Sequence, residues 1–207
     1  ETVFMRVLSV LVIILLVLPL HECAHAWVAY RMGDSTAKNR GRLTLNPLPS
    51  IDPIGALCIL LFGFGWAKPV PVDSRYFTKN AKAKMALTAL AGPVSNLLAA
   101  FVGALIFYLI AFLTGYSTSV IMSYVATFFL YYITININLA VFNLIPLPPL
   151  DGSRILAAFL PDRMVYQYYR YQNIIMLAVF VLLFTGVLSR PLGWLTTQVY
   201  NGIMNLA

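Results

Sequence analysis

From residue 10 to residue 27 the chain reads Val-Leu-Val-Ile-Ile-Leu-Leu-Val-Leu-Pro-Leu-His21-Glu22-Cys23-Ala24-His25-Ala-Trp27. Its first half is an unbroken apolar run, and upstream as far as Val3 only Arg6 and Ser9 interrupt it. A bilayer core about 30 Å thick takes about 20 apolar residues in helical form. The run and the residues after it therefore predict a transmembrane helix from Val3 to Tyr30, stopped by charge and glycine at Arg31-Met32-Gly33-Asp34. The second half places the only two histidines of the chain, with a glutamate between them, at the end of that helix. Ionisable groups at membrane depth are costly and are kept mainly where they serve chemistry.

The spacing His-Glu-x-x-His has a mechanical meaning. A helix turns about 100° per residue, so His21 and His25 project from one face and both imidazoles can reach one Zn²⁺ at about 2.0–2.1 Å. Glu22 lies beside the pair, placed to take a proton from a water at the metal and return it to a leaving amine. Cys23 turns away from that face and reads as packing.

Composition sets the frame. The chain has 207 residues, 60% hydrophobic and 10% charged, with mean hydropathy +0.82. That composition describes one polytopic membrane domain over residues 1–207, with no room for a separate soluble module. The net charge of +7 does not point to nucleic acid, because the basic residues alternate with apolar spans. Two cysteines, each in an apolar run, argue against a structural disulfide. The first apolar segment contains the histidine motif and lacks a small-residue cleavage site, so it reads as a retained span rather than a signal peptide.

Further along, Ile54 to Trp66 is apolar but only 13 residues long, and it contains Gly55, Gly63 and Gly65. It is too short for an ordinary span and reads as a re-entrant hairpin buried against protein. Lys68-Pro-Val70-Pro-Val72 follows in extended form. Met85 to Leu113 and Val120 to Asn143 are further spans, the former interrupted by Gly92-Pro-Val-Ser-Asn96. A fourth runs from Tyr171 to about Leu188, and the apolar piece after Pro191 is an interfacial or membrane segment. The expected fold class is thus an all-α integral membrane protein with about four full spans and a re-entrant hairpin.

Basic residues cluster in three places: Arg31, Lys38, Arg40 and Arg42; Lys68, Arg75, Lys79, Lys82 and Lys84; and Arg154, Arg163 and Arg170. A re-entrant 54–66 segment puts all three on one side. By the positive-inside rule that side is cytoplasmic. The expected location is the cytoplasmic membrane, multi-pass, with the histidine motif toward the cytoplasmic face.

A catalytic zinc takes a third protein ligand and keeps an open position. No histidine is left, so the candidates are Glu1, Asp34, Asp52, Asp73, Asp151 and Asp162. Asp151 is favoured, because Ile145-Pro-Leu-Pro-Pro-Leu-Asp151-Gly152 must break the helix on the same side as His21 and His25. Helix capping is its other reading. Asp34 and Asp52 lie in an arginine- and lysine-rich loop and are expected to form solvated ion pairs.

Together, His21-Glu22-Cys-Ala-His25, Gly92-Pro-Val-Ser-Asn96 and Asn143-Leu-Ile-Pro-Leu-Pro-Pro-Leu-Asp151-Gly152 resemble the site-2 protease family of intramembrane zinc metalloproteases. Gly41-Arg-Leu-Thr-Leu-Asn46-Pro47 and Gly63-Phe-Gly65-Trp-Ala-Lys-Pro-Val70-Pro are similar to its small prokaryotic members, those without PDZ or CBS modules. The resemblance implies regulated cleavage of transmembrane-helix substrates within the bilayer. It implies one Zn²⁺ per chain on His21, His25 and Asp151, with Asn96 near the substrate backbone. With Asn143 it forms the expected substrate-binding or oxyanion group. The segment around Gly63 and Gly65 is expected to pair with an unwound substrate as an added strand. A non-catalytic zinc scaffold or metal carrier is the alternative. It would not need Glu22, and it would need polar residues right across the membrane. Nucleic acid is not an expected partner, and a homo-oligomer or regulatory membrane partner is left open.

Overall fold

The computed structural model describes residues 3–62, 65–115 and 118–207, so Glu1 and Gly63 lie outside the described residues. Among the described residues there is no strand. Helix α1 (Val3–Val12) passes through a π-helical stretch (Ile13–Val17) into α2 (Leu18–Arg31), which carries the histidines. Pro19 explains the change of register. It has no N–H to give, and its ring crowds the carbonyl one turn back, so the ladder opens and the Leu18 N–H reaches the Ile13 carbonyl instead.

Beyond α2 come α3 (Thr36–Asn39), α4 (Pro53–Phe62), α5 (Ala81–Leu113) and α6 (Val120–Asn143). The chain continues through α7 (Asp151–Ala157), α8 (Asp162–Arg170), α9 (Gln172–Phe184) and α10 (Ser189–Leu206). Among the described residues, three helical stretches are long and apolar enough to cross a membrane: Val7–Arg31, Ala81–Leu113 and Val120–Asn143. The fourth expected span is shorter than its sequence promised. The apolar run to Leu188 is cut where Gly186 takes φ of 72°, leaving α9 with 13 residues, about 20 Å of helix. The last helix is not detached, because Val199, Tyr200, Ile203 and Met204 of α10 pack on Ala100, Ala104, Ile133 and Ile137 of α5 and α6.

Helix α5 is the centre of the molecule, lying against both α2 and α6. It can do so because its inward face is small: Ala99, Ala100, Gly103 and Ala104 are buried, and a Cβ at Gly103 would touch the Tyr132 ring at 2.9 Å. Small residues let helix backbones approach where lipid offers no hydrophobic drive between them. The large apolar side chains point outward instead, among them Leu11, Leu98, Leu109 and Leu130. An outward leucine surface on the long helices is what a lipid environment asks for.

The 54–66 segment leaves as the single helix α4, and the described part of its return, from Gly65, is neither helix nor strand. The two limbs meet because Gly55 and Gly65 lack side chains: a Cβ on Gly65 would run into the Gly55 carbonyl, and one on Gly55 into the Trp66 backbone. The Lys68 N–H then closes the excursion onto the Ser50 carbonyl at 2.9 Å.

Candidate metal centre

Helix α2 brings His21 and His25 to face α5, and the sequence of α5 has made room for them. A Cβ at Gly92 would collide with both imidazoles. The linker after α6 folds back on itself, with a cis Pro148–Pro149 bond, and presents Asp151 as the first residue of α7. Gly152 is required there because a Cβ would run into the Leu144 and Ile145 carbonyls. His21 and His25 are buried and Asp151 nearly so.

The distances define a three-point cluster. The Nε2 atoms of His21 and His25 are 3.0 Å apart, and each is 3.2 Å from Asp151 Oδ2. Their protonation follows from the far side of each ring. The His25 Nδ1–H donates to the Thr88 carbonyl at 2.7 Å. His21 Nδ1 lies 2.5 Å from Asn96 Oδ1, the Asn96 Nδ2 donates to Asn136 Oδ1 at 2.8 Å, and the Asn136 Nδ2 donates to the Tyr132 carbonyl at 2.9 Å. That carbonyl can only accept, which fixes the direction of both amides and puts a proton on His21 Nδ1.

In the neutral form of each ring Nε2 then carries the lone pair, and the two Nε2 atoms point at each other and at a carboxylate oxygen that has no hydrogen-bond partner. Three such acceptors repel unless a proton or a metal cation lies between them. A tetrahedral zinc with bonds of about 2.0–2.1 Å sets its ligand atoms about 3.3–3.4 Å apart, close to the spacing in this cluster. Two imidazoles and one carboxylate form the donor set of a catalytic zinc, and the partners on both Nδ1 atoms are the kind of outer contacts that orient ligating histidines. The residues fit the ion.

Glu22 sits one residue from the first histidine and is itself buried. Its Oε2 accepts the Val70 N–H at 3.0 Å and lies 4.0 Å from Arg42 Nη2.

The other carboxylates among the described residues are occupied elsewhere, and two not as expected. Asp34 is fully buried, not solvated, accepting from the Thr36 and Asp73 N–H groups at 2.8 and 2.7 Å. Asp52 accepts the Gly55 N–H at the start of α4 and pairs with no basic residue in the described contacts. Asp73 forms an exposed pair with Arg75 at 2.6 Å, which holds its carboxyl below the usual carboxylate range, and Asp162 pairs with Lys82 at 2.6 Å. Asn96, expected to meet a substrate backbone, is fully buried with both ends of its amide engaged. Asn143 donates to the Leu139 carbonyl of its own helix at 2.9 Å. Gly65 faces α4. Sequence reasoning missed Asn136, although one amide at membrane depth in each of two neighbouring spans is a signal that the two pair.

A histidine pair and an aspartate converging on one point, with a glutamate alongside, are the residue types from which metallohydrolase centres are built, here in a membrane protein. The profile of Peptidase family M50 matches residues 109–186, the part that contains Asp151. A Bacillus subtilis (strain 168) protein named "Putative zinc metalloprotease YwhC" is 48% identical over 145 residues, covering 69% of this chain and 64% of that protein. "Putative zinc metalloprotease Rip2" of Mycolicibacterium smegmatis (strain ATCC 700084 / mc(2)155) is 33% identical over 192 residues, covering 90% of this chain and 69% of that one. The chain thus spans less than two thirds of the first relative's length. No solved structure matches it. The chain belongs to peptidase family M50, the site-2 protease family of zinc metalloproteases.

Proposed function

We propose that the chain is an intramembrane zinc endopeptidase that hydrolyses peptide bonds in the transmembrane segments of membrane proteins. The observation that carries the reading is the convergence of His21 Nε2, His25 Nε2 and Asp151 Oδ2 beside a buried Glu22. His21, His25 and Asp151 would hold the ion, one per chain. When bound, zinc polarises the scissile carbonyl and lowers the pKa of a water beside it. Glu22 takes the proton of the attacking water and delivers it to the leaving amine. The chain Asn96–Asn136–Tyr132 carbonyl holds the His21 ring, and the Thr88 carbonyl holds that of His25.

The whole chain acts as one membrane domain in this reading. The 53–67 excursion enters and leaves on the same side, as its closure onto Ser50 suggests. The basic clusters put that side, and the metal, toward the cytoplasm. α9 lies within the fourth crossing, 171–188, and α10 is the interfacial or membrane segment that follows it. A substrate helix must unwind before its carbonyls can react, and the residues after Gly65 are the edge against which it would lie.

The test is Glu22→Gln. The amide keeps the shape of the side chain and cannot accept a proton, so the variant should retain about one zinc per chain and lose cleavage of a model transmembrane substrate. Cleavage at the normal rate would remove Glu22 from the mechanism.

A further inference from the structure

Arg42 is a buried cation in a loop where Lys38 and Arg40 are exposed. Its position is fixed by backbone groups from two loops. Nη1 donates to the Pro49 carbonyl and Nη2 to the Lys68 carbonyl. Nη2 also faces Glu22 Oε2 at 4.0 Å. One planar guanidinium therefore meets the loop before α4, the segment after it and the glutamate of the metal site.

The segment Lys68–Asp73 is tied at both ends. The Lys68 N–H bonds the Ser50 carbonyl, and the Asp73 N–H bonds the buried Asp34 carboxylate. Between them Pro69 and Pro71 have no N–H to offer. Val70 is thus the one residue between Lys68 and Val72 with a backbone donor, and that donor goes to Glu22 Oε2 at 3.0 Å. The two prolines leave the segment a single point of attachment to the glutamate, and Arg42 holds the segment two residues away.

From this geometry, and resting on the endopeptidase reading above, we propose that Arg42 is a positioning residue for Glu22. It acts through the Lys68 carbonyl, which sets the height of the Val70 N–H, and directly through its charge opposite Oε2. With Oε2 engaged by both groups, Glu22 is held in one rotamer, and proton transfer falls to Oε1. A side chain that merely stapled two loops together would leave the orientation of Glu22 unchanged.

The test compares wild type, Arg42→Gln and Arg42→Lys as full chains in detergent. It measures zinc content, kcat and KM on a model transmembrane substrate, and amide exchange at Val70, which the flanking prolines isolate. Arg42→Gln should keep about one zinc per chain. It should lower kcat about 10- to 100-fold, the usual effect of losing an outer contact, with KM changed by less than about threefold. Exchange at Val70 should speed up by about tenfold or more as its hydrogen bond is lost. Arg42→Lys should recover only a small part of kcat, because an ammonium cannot span two carbonyls and a carboxylate in one plane. The proposal is overturned if zinc-loaded Arg42→Gln keeps the wild-type kcat or the wild-type exchange at Val70. It is also overturned if both variants lose the metal or the fold, which would make Arg42 a structural staple. Glu22→Gln assayed alongside separates the two claims. Its activity speaks to the endopeptidase reading, whereas exchange at Val70 in the Arg42 variants is read without any turnover.

Discussion

Replacing Asn96 by alanine separates two roles open to that residue, substrate contact and support of His21. The substitution takes the acceptor from His21 Nδ1 and the donor from Asn136 Oδ1, all buried inside the α2–α5–α6 packing. Loss of an orienting partner of a metal-bound histidine weakens metal affinity about 10- to 100-fold, equivalent to about 1.4–2.7 kcal/mol. The Asn136 oxygen, left without a donor, adds about 1–3 kcal/mol of lost stability in the metal-free protein. The two effects are read separately, by zinc competition against a chelator and by melting of the metal-free chain. Asn96→Asp is the control. A carboxylate still accepts from His21 Nδ1, so zinc affinity should stay within about threefold. It then faces Asn136 Oδ1, which cannot turn away without meeting the Tyr132 carbonyl, so metal-free stability should still fall by about 2 kcal/mol. If Asn96→Ala binds zinc as wild type does and loses only cleavage, Asn96 does not support His21 and belongs at the substrate.

Asp151→Asn should weaken zinc binding, because a neutral amide is a poorer ligand than a carboxylate; unchanged zinc affinity would return Asp151 to a helix-capping role. Gly92→Ala should cost about 2–3 kcal/mol and leave zinc well below one per chain, since its methyl enters the space of both imidazoles; a variant with full zinc and wild-type melting would show that α5 does not approach so closely. Asp34→Ala strands the Thr36 and Asp73 N–H groups and should destabilise by about 3 kcal/mol in thermal melts, whereas a change under about 0.5 kcal/mol would return Asp34 to the solvated role its charged neighbours suggest.

What the sequence made legible was local. The four-residue spacing of His21 and His25, with Glu22 between, is a property of one helix, and the length of the apolar run around it needs no tertiary knowledge. Asp151 was reachable because a proline-rich break forces the chain to turn where an acid follows. The direction of an amide was not legible. Asn96 reads as a polar group at membrane depth, and only the Tyr132 carbonyl, two side chains away, determines that its oxygen faces His21. Charge in a loop misled in the same way. Asp34 sits among basic residues and reads as solvated, yet it is buried under backbone donors, one of them from the distant Asp73. The end of the last apolar run was not legible either, since Gly186 at φ of 72° stops α9 at Phe184 within a run whose composition alone would continue to Leu188.

Hydrolysis inside the bilayer by this metal centre is tested directly by reconstituting the zinc-loaded chain with a model single-span substrate in lipid vesicles. New termini are mapped by mass spectrometry, with zinc-loaded Glu22→Gln in parallel. Cuts should fall within the substrate's apolar span, toward its cytoplasmic third and near helix-weakening glycine, proline or asparagine, and none should come from Glu22→Gln. Cuts confined to the water-exposed flanks, or the same cuts from Glu22→Gln, would contradict the intramembrane mechanism.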